Sequence, residues 1–346
     1  MSERRLFLDR GIGETRGVVT LDGRPERLLL RRDDDEPRLA AGARLIARVA
    51  SVEAAIATAF LDLGGGLEAI LPFKPDARPV RGAAVEIEIR TEPRDGKLAV
   101  ARQLVEGQGP PRLLSPAPDI AEDLRHFARD AGIVEGRPAR DVADEAESEA
   151  LETIHPLPGG GTLAIEPTRA LTAIDVDLGE RKSADAKRAA RQANLAALSE
   201  SARLLRLKGL GGLVIVDLVG RGHDGNALMA AARLAFGPDN PGVAIGPVGR
   251  FGTMELSIPR RTRPLLERLR RADGALADRA LAQRLIRRIQ AEAEAQPGGH
   301  LAAVCAPDVA AAAKPLARLL ADRIGARFTI TPDPARPRER FDVGRA

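Results

Sequence analysis

Two short apolar segments that each end in aspartate restrict the fold of this chain more than any other feature. ALTAIDVD places Asp175 and Asp177 two residues apart, on one face of a strand. GLVIVDLV places Asp217 after four consecutive apolar residues. Between the two segments, residues 183–208 predict a helix that ends at Gly209 in a left-handed conformation. We therefore expect an α+β unit, and the carboxylates converge in it if the two strands are neighbours.

Converging carboxylates repel one another, so such a cluster needs a proton or a cation. The four His residues are scattered without ligand spacing, and Cys305 is the only cysteine. Ligands that are all oxygen favour Mg²⁺, or Mn²⁺, over zinc. The pattern therefore predicts a magnesium site, and the alternative is that each aspartate only ends a strand or caps a helix.

A second module is indicated by five strand-like segments between residues 41 and 106. The fourth is the clearest, because Val85, Ile87 and Ile89 alternate with charged residues, as in a strand with one buried face. Five short strands at this spacing are typical of a closed barrel of the OB type. We expect this barrel to bind RNA, and the alternative is a generic barrel without RNA affinity.

The remaining segments divide the chain into further units. An Asp22–Gly23 hairpin lies in an N-terminal strand segment, and helix, strand, helix and strand alternate near the end. Residues 332–346 are rich in Pro and Arg and are predicted to be frayed. The predicted units are an N-terminal segment (1–40), the barrel (41–106), a helical connector (107–156), a catalytic metal-binding domain (157–272) and a small β-α-β domain (273–346).

Charge and composition narrow the class of partner. The net charge is +4 and the pI about 9.7, and residues 260–271 alone hold six Arg against one Glu. Clustered positive charge attracts polyanions, because neutralised phosphates release counterions; a surplus of solvated Arg is the alternative. No apolar run reaches the length of a membrane span. A single cysteine and opening residues without a secretory signal predict a cytoplasmic location.

Two charged segments flank the aspartates. Lys182, Lys187, Arg188 and Arg191 lie along one helix and are candidates for binding an RNA backbone, although a merely solvated face is equally consistent. His223 and Asp224 follow Asp217 in a loop and are near enough in sequence to approach the site. A solvated loop pair is the alternative for these two residues.

Residues 160–257 resemble the catalytic core of the RNase E/G endoribonucleases. The similar segments are GGTLAIEPTRALTAIDVD, NLAALSESARLLRLKGLGGLVIVDLV and GRFGTMELS. The resemblance implies a DNase-I-like α+β domain that hydrolyses internal phosphodiesters of single-stranded RNA. It further implies that Asp175 and Asp217 hold the catalytic magnesium and that Arg250 stabilises the transition state. Asp177 stands where the family usually has Asn, and we expect it to assist the other two aspartates.

The barrel segment VEAAIATAFLDLGGGLEAILPFK is also similar to the family. The resemblance implies that Phe60 stacks on bases and that Lys97 contacts RNA, whereas Ile70 replaces a second aromatic residue. A base stacked on an aromatic ring is worth about 1–3 kcal/mol. We therefore expect a weaker RNA grip than two aromatic platforms provide. Phe60 as an ordinary core residue is the alternative.

Two departures from the family pattern change the expected assembly. The paired cysteines that form a zinc link are absent, so a zinc-bridged dimer is excluded while another oligomer is not. Residues 106–156 are short and acidic where the family has a pocket for RNA 5′ ends, so cleavage by direct entry is expected. Two other functions compete: a non-catalytic RNA-binding protein on this scaffold, and a structural protein that binds other proteins.

Overall fold

The structure, a computed structural model, describes residues 3–94, 96–180, 185–237 and 242–346. Its first three strands are β1 (Arg4–Arg10), β2 (Glu14–Leu21) and β3 (Arg24–Arg32), which pair as an antiparallel meander. The Asp22–Gly23 turn joins β2 to β3 with φ of 51° and 82°. Two consecutive positive φ angles are those of a type I′ hairpin turn, for which Asp-Gly is a preferred sequence.

The next five strands close into a barrel. They are β4 (Arg44–Glu53), β5 (Thr58–Gly64), β6 (Leu67–Pro72), β7 (Ala84–Thr91) and β8 (Ala99–Glu106). They pair in the order β5-β6-β8-β7-β4, and pairing of β4 with β5 completes the ring. The inward residues of the alternating strands, such as Leu45, Leu61 and Ile87, are fully buried. The predicted five-stranded OB-like barrel is therefore confirmed, and a short strand β9 (Arg112–Ser115) adds to β4.

The connector folds back onto the N-terminal sheet. It consists of α1 (Ile120–Arg125), β10 (Ile133–Glu135) and α2 (Arg137–Leu151). Helix α1 begins with a capping box formed by Asp119 and Glu122, which satisfies two free amide groups at the helix start. Strand β10 runs parallel to β1, so the sheet order is β10-β1-β2-β3. Helix α1 packs on one face of this sheet and α2 on the other.

A six-stranded mixed sheet carries the two apolar segments that end in aspartate. Its elements are β11 (Ile154–Pro156), β12 (Thr162–Pro167), β13 (Thr172–Asp177), α3 (Ala186–Lys208), β14 (Gly212–Asp217), α4 (Gly225–Phe236), β15 (Ala244–Val248) and β16 (Thr253–Ile258). The strand order is β11-β12-β13-β14-β16-β15. Strands β13 and β14 are parallel neighbours, so the crossover between them is made by α3.

Helix α3 joins the two sheets into one core. Its alanine stripe, including Ala189, Ala193 and Ala197, is buried and lets the helix approach both sheets closely. One large apolar cluster contains residues of β2, β3, α2, α3 and the six-stranded sheet. The helix ends at Gly209 with φ of 66°, the left-handed cap that the sequence predicts.

The last part of the chain forms a small layer of helices and strands. Its elements are α5 (Leu265–Leu269), α6 (Asp278–Ala295), β17 (Leu301–Cys305), α7 (Pro307–Ile324), β18 (Phe328–Pro332) and β19 (Asp342–Arg345). Strands β17 and β18 are parallel with α7 between them. The prediction that residues 332–346 are frayed is wrong, because β19 pairs with β17 and Val343 packs on the local apolar cluster. None of the described helices is long and apolar enough to cross a bilayer.

Ion pairs with little solvent exposure fasten these units together. Glu147 on α2 contacts Arg16 of β2 at 3.3 Å and Arg284 and Arg287 of α6 at 2.8 and 3.0 Å. Although burial alone opposes ionisation, the three guanidinium groups lower the pKa of Glu147 to about 2. On the barrel, Glu92 accepts hydrogen bonds from the Arg263 amide at 2.8 Å and the Arg268 side chain at 2.9 Å. The barrel is therefore anchored to the segment that follows the six-stranded sheet.

Candidate active site

The structure brings Asp175 and Asp217 side by side. They are register partners in the parallel pair β13–β14, so their Cα atoms are about 4.8 Å apart. Their neighbours Ile174, Val176 and Val216 point into the core. Strand alternation therefore directs both carboxylates to the opposite, solvent-exposed face. The two carboxylates therefore lie on the same exposed face, at the C-terminal ends of β13 and β14.

Asp177 continues the same face one step beyond the paired aspartates. Its Oδ1 accepts a hydrogen bond of 2.8 Å from the amide of Gly179, so this carboxylate also shapes its own turn. Gly161 packs directly against the backbone of Asp177. A Cβ added at Gly161 would lie 2.3 Å from the Asp177 carbonyl oxygen. Among the described residues, no group of three or more His, Cys, Asp or Glu side chains is arranged to hold a metal. The prediction that Asp177 assists the other two aspartates stays a prediction.

The charged side chains that the strands place on the exposed face of the six-stranded sheet are all acidic. Within the bounds given above, none of its six strands contains Lys or Arg. Glu255 on β16 pairs with Ile215, two residues before Asp217, and therefore shares its face. The exposed acids of this face are Glu166, Asp175, Asp177, Asp217 and Glu255. Electrostatic repulsion therefore opposes the approach of a polyanion to this face unless cations neutralise its charge.

Asn194 of α3 fixes the chain just after Asp217. Its Nδ2 donates to the Val219 carbonyl oxygen and its Oδ1 accepts from the Val219 amide, both at 3.0 Å. The side chain is 1% exposed, so water does not compete for these two bonds. This clamp holds the backbone two residues from the carboxylate of Asp217.

The Arg250–Gly252 turn lies at the same edge of the sheet. The turn is closed by the Gly252 amide, which donates to the Gly249 carbonyl at 3.0 Å. The next residue, Thr253, is the register partner of Asp217, and the Leu218 amide donates to the Gly252 carbonyl at 3.1 Å. The turn is thus bound directly to the strand end that carries Asp217.

Arg250 and Phe251 form the tip of this turn. The Arg250 guanidinium carbon is 4.5 Å from the centre of the Phe251 ring, which is a cation–π contact. Phe251 itself is 77% exposed. Arg250 is exposed as well, so its guanidinium group is accessible to a phosphate in solution. The position of Arg250 is compatible with the predicted contact to phosphate.

His223 lies against the Arg250–Gly252 turn. An added Cβ at Gly252, whose φ is +86°, would lie 3.2 Å from His223 Nε2. This nitrogen is buried and has no hydrogen-bond partner among the described residues. Asp224 caps α4 by accepting from the Ala227 amide and pairs with Arg191 at 3.3 Å. Both residues therefore support the loop around the site.

The structure describes three of the four basic residues that are predicted to bind RNA along α3. Lys187, Arg188 and Arg191 are exposed near the start of the helix. Arg191 already pairs with Asp224, which reduces its availability to a phosphate. Lys182 lies outside the described residues. RNA contacts by this helix stay a prediction.

On the barrel, Phe60 points outward. Its neighbours Ala59 and Leu61 fill the interior, whereas Phe60 is half-buried and does not belong to the barrel core. Its register partner on β6 is Ile70, so both lie on one outer face. Lys97 is exposed in the turn before β8. RNA contacts by Phe60 and Lys97 stay a prediction.

Comparison with known proteins adds to this geometry. The sequence profile of the ribonuclease E/G family matches residues 118–261, which include both aspartates, the Asn194 clamp and Arg250. Over this stretch, which is less than half of the chain, the protein is similar to the ribonuclease E/G family. Its similarity to ribonuclease E of Haemophilus influenzae is 37% identity over 107 residues, which is 30% of this chain and 11% of that enzyme. Ribonuclease E of Escherichia coli is 36% identical over 107 residues, 30% of this chain and 10% of that enzyme.

A plant relative extends the similarity. The chloroplastic ribonuclease E/G-like protein of Arabidopsis thaliana is 33% identical over 155 residues, 42% of this chain and 15% of that protein. The matched stretches thus span between a tenth and a sixth of the length of these curated relatives.

Three features of the site escaped prediction from the sequence. The Asn194 clamp joins positions 25 residues apart and has no local signature. The exposure of Phe251 depends on how the turn sits on the sheet. On the barrel, β6 and β8 separate after Ile70 and Val100, which opens a groove of about 270 Å³ whose lining includes Phe73, Lys74 and Arg102. Aromatic and basic side chains in one barrel groove are a signal for single-stranded nucleic acid.

Proposed function

We propose that this chain is a Mg²⁺-dependent endoribonuclease that hydrolyses internal phosphodiesters of single-stranded RNA in the cytoplasm. The observation that carries the proposal is the register pairing of Asp175 with Asp217 on an exposed sheet edge, inside the stretch that matches the family. Two neighbouring carboxylates without His or Cys suit Mg²⁺, which commonly takes one or two carboxylates and completes its shell with water and substrate phosphate.

Each residue then has a defined task. Asp175 and Asp217 hold the ion, which when bound activates an attacking water and neutralises phosphate charge. Asp177 orients the edge of the site through its turn. Arg250 donates to the non-bridging oxygens of the scissile phosphate, where negative charge develops in the transition state. Loss of such a donor lowers kcat by roughly 100- to 1000-fold.

The barrel supplies RNA affinity without reading sequence. Phe60 offers an aromatic surface for one base, while Lys97 and the basic residues of α3 hold phosphates. Because this face of the barrel has one aromatic ring in place of two, base stacking contributes less to RNA affinity than it would on a surface with two rings. The binding partner that we propose is single-stranded RNA. Any oligomer of this chain forms without a zinc link.

The test is cleavage of an end-labelled single-stranded RNA as Mg²⁺ is varied, with the Asp217→Asn variant beside the wild type. Asp217→Asn is expected to abolish cleavage and to weaken Mn²⁺ binding measured by electron paramagnetic resonance. The matched control is Glu255→Gln. It removes a carboxylate from the same face of the sheet, on β16 opposite Ile215, which lies two residues before Asp217. Equal cleavage by wild type and Asp217→Asn rejects this site.

The same assay separates the competing function. A wild-type protein that binds RNA without magnesium and never cleaves it is a non-catalytic RNA-binding protein. The outward position of Phe60 and the barrel groove are compatible with that outcome. Salt-insensitive or absent RNA binding contradicts both RNA functions.

A further inference from the structure

Phe251 is an apolar side chain that lies mostly in contact with solvent. The chain contains eight Phe and neither Trp nor Tyr, and all eight Phe lie in the part of the chain that the structure describes. Seven of them are buried or half-buried, whereas Phe251 is 77% exposed. Single exposed apolar side chains are common, so exposure alone does not identify a binding residue. Phe251 differs from an isolated exposed side chain in the contacts that its turn makes.

The turn that carries Phe251 is hydrogen-bonded to the end of the strand that carries Asp217. The closed turn restrains the backbone, and its Gly252 carbonyl is bonded to the Leu218 amide, directly after Asp217. The Arg250 guanidinium lies against the ring at 4.5 Å. A ring has two faces, so contact with Arg250 on one leaves the other for a second planar group. The arrangement is a short stack with one open end.

We infer that the open face of Phe251 is a stacking platform for a nucleobase of the RNA, next to the phosphate that Arg250 contacts. The inference rests on the proposed function and names a substrate contact within the same site. A nucleobase is the planar group that an RNA strand presents within one nucleotide of a phosphate. The stack Arg250–Phe251–base fixes the base and the phosphate through one turn. This platform is separate from Phe60, which lies on the barrel.

Fluorescence gives a direct test, because the chain has no tryptophan. Phe251→Trp places a single fluorophore on the turn, introduced into an Asp217→Asn background so that the RNA stays intact. Binding of a short single-stranded RNA is expected to quench this tryptophan. Quenching should be lost when one particular nucleotide of the RNA is made abasic. Leu234→Trp is the matched control, because Leu234 is 78% exposed on α4 outside the turn.

Kinetics gives a second test in the catalytically intact protein. Phe251→Leu is expected to lower kcat/KM about 5- to 150-fold, the range for one lost stacked base, while Phe251→Trp retains activity. On RNA abasic at the stacked position, wild type and Phe251→Leu should differ far less. A purely structural role for the ring gives the same loss on both RNAs and overturns the inference.

The outcomes separate the platform from the proposed function. RNA that quenches a Phe60→Trp variant but leaves Phe251→Trp unaffected, or affects it no more than Leu234→Trp, refutes the platform. Wild-type cleavage together with that result leaves the nuclease proposal standing. Base-dependent quenching at position 251 without wild-type cleavage supports the platform and rejects the nuclease.

Discussion

Replacing Asn194 tests whether a buried amide positions Asp217. In Asn194→Ala, the Val219 amide and carbonyl both lose their partner, since each is bonded to this side chain at 3.0 Å. A net contribution of about 0.5–1.5 kcal/mol for each hydrogen bond predicts a loss of about 1–3 kcal/mol in the free energy of unfolding. The site is nearly inaccessible to water, which places the expected loss in the upper part of this range.

Urea unfolding followed by circular dichroism measures this loss as a lower midpoint at unchanged slope. The matched control is Gln192→Ala, an exposed position on the same helix, where the change should stay within about 0.5 kcal/mol. If the clamp also positions the carboxylate, Asn194→Ala should need more Mg²⁺ for half-maximal cleavage, with a larger effect on kcat than on KM. That metal requirement distinguishes positioning from a general loss of stability.

Two results would refute this reasoning. An Asn194→Ala protein as stable as the Gln192→Ala control shows that the two hydrogen bonds contribute nothing net. A destabilised protein with an unchanged requirement for Mg²⁺ shows that the clamp supports the fold without orienting Asp217.

Three further predictions concern glycine, pH and the barrel. Gly161→Ala should destabilise more than Gly23→Ala in urea unfolding: both have positive φ, but only at Gly161 does the new Cβ meet backbone, 2.3 Å from the Asp177 carbonyl oxygen. Glu147 has a folded-state pKa of about 2, below its ordinary value, so its contribution to the free energy of unfolding is complete above about pH 5 and is lost as pH falls towards 2. In thermal unfolding, the stability advantage of wild type over Glu147→Gln should therefore shrink across that pH window. A stability difference that stays constant with pH contradicts this prediction. Glu92→Ala should speed proteolysis between barrel and core, because it removes acceptors for Arg263 and Arg268; unchanged proteolysis contradicts this anchor.

Much of the fold follows from local pattern. The alternation of Val85, Ile87 and Ile89 predicts a barrel strand, and Asp22–Gly23 predicts the hairpin that the structure contains. Gly209 ends α3 as expected. These features are local because strand alternation, turn angles and helix caps depend on residues within a few positions of one another.

The end of the chain shows where local pattern fails. Residues 332–346 have the composition of a frayed tail, yet β19 forms because the exposed edge of β17 offers it hydrogen bonds and an apolar contact for Val343. The partner strand β17 lies about forty residues earlier in the chain, so the composition of residues 332–346 does not indicate this pairing. The same limit applies to Phe251, whose residue type suggests burial and whose turn exposes it.

Three features can be read from the amino-acid sequence alone: two apolar strands end in aspartate, the ligand atoms of those aspartates are oxygen, and a helix separates the two strands. The pairing of these strands as parallel neighbours, with Asp175 opposite Asp217, appears only in the folded protein. The same is true of the approach of Asn194 and the Arg250 turn to the end of β14. The physical reason is that side-chain periodicity is written along the chain, whereas strand register is selected by packing of the whole core.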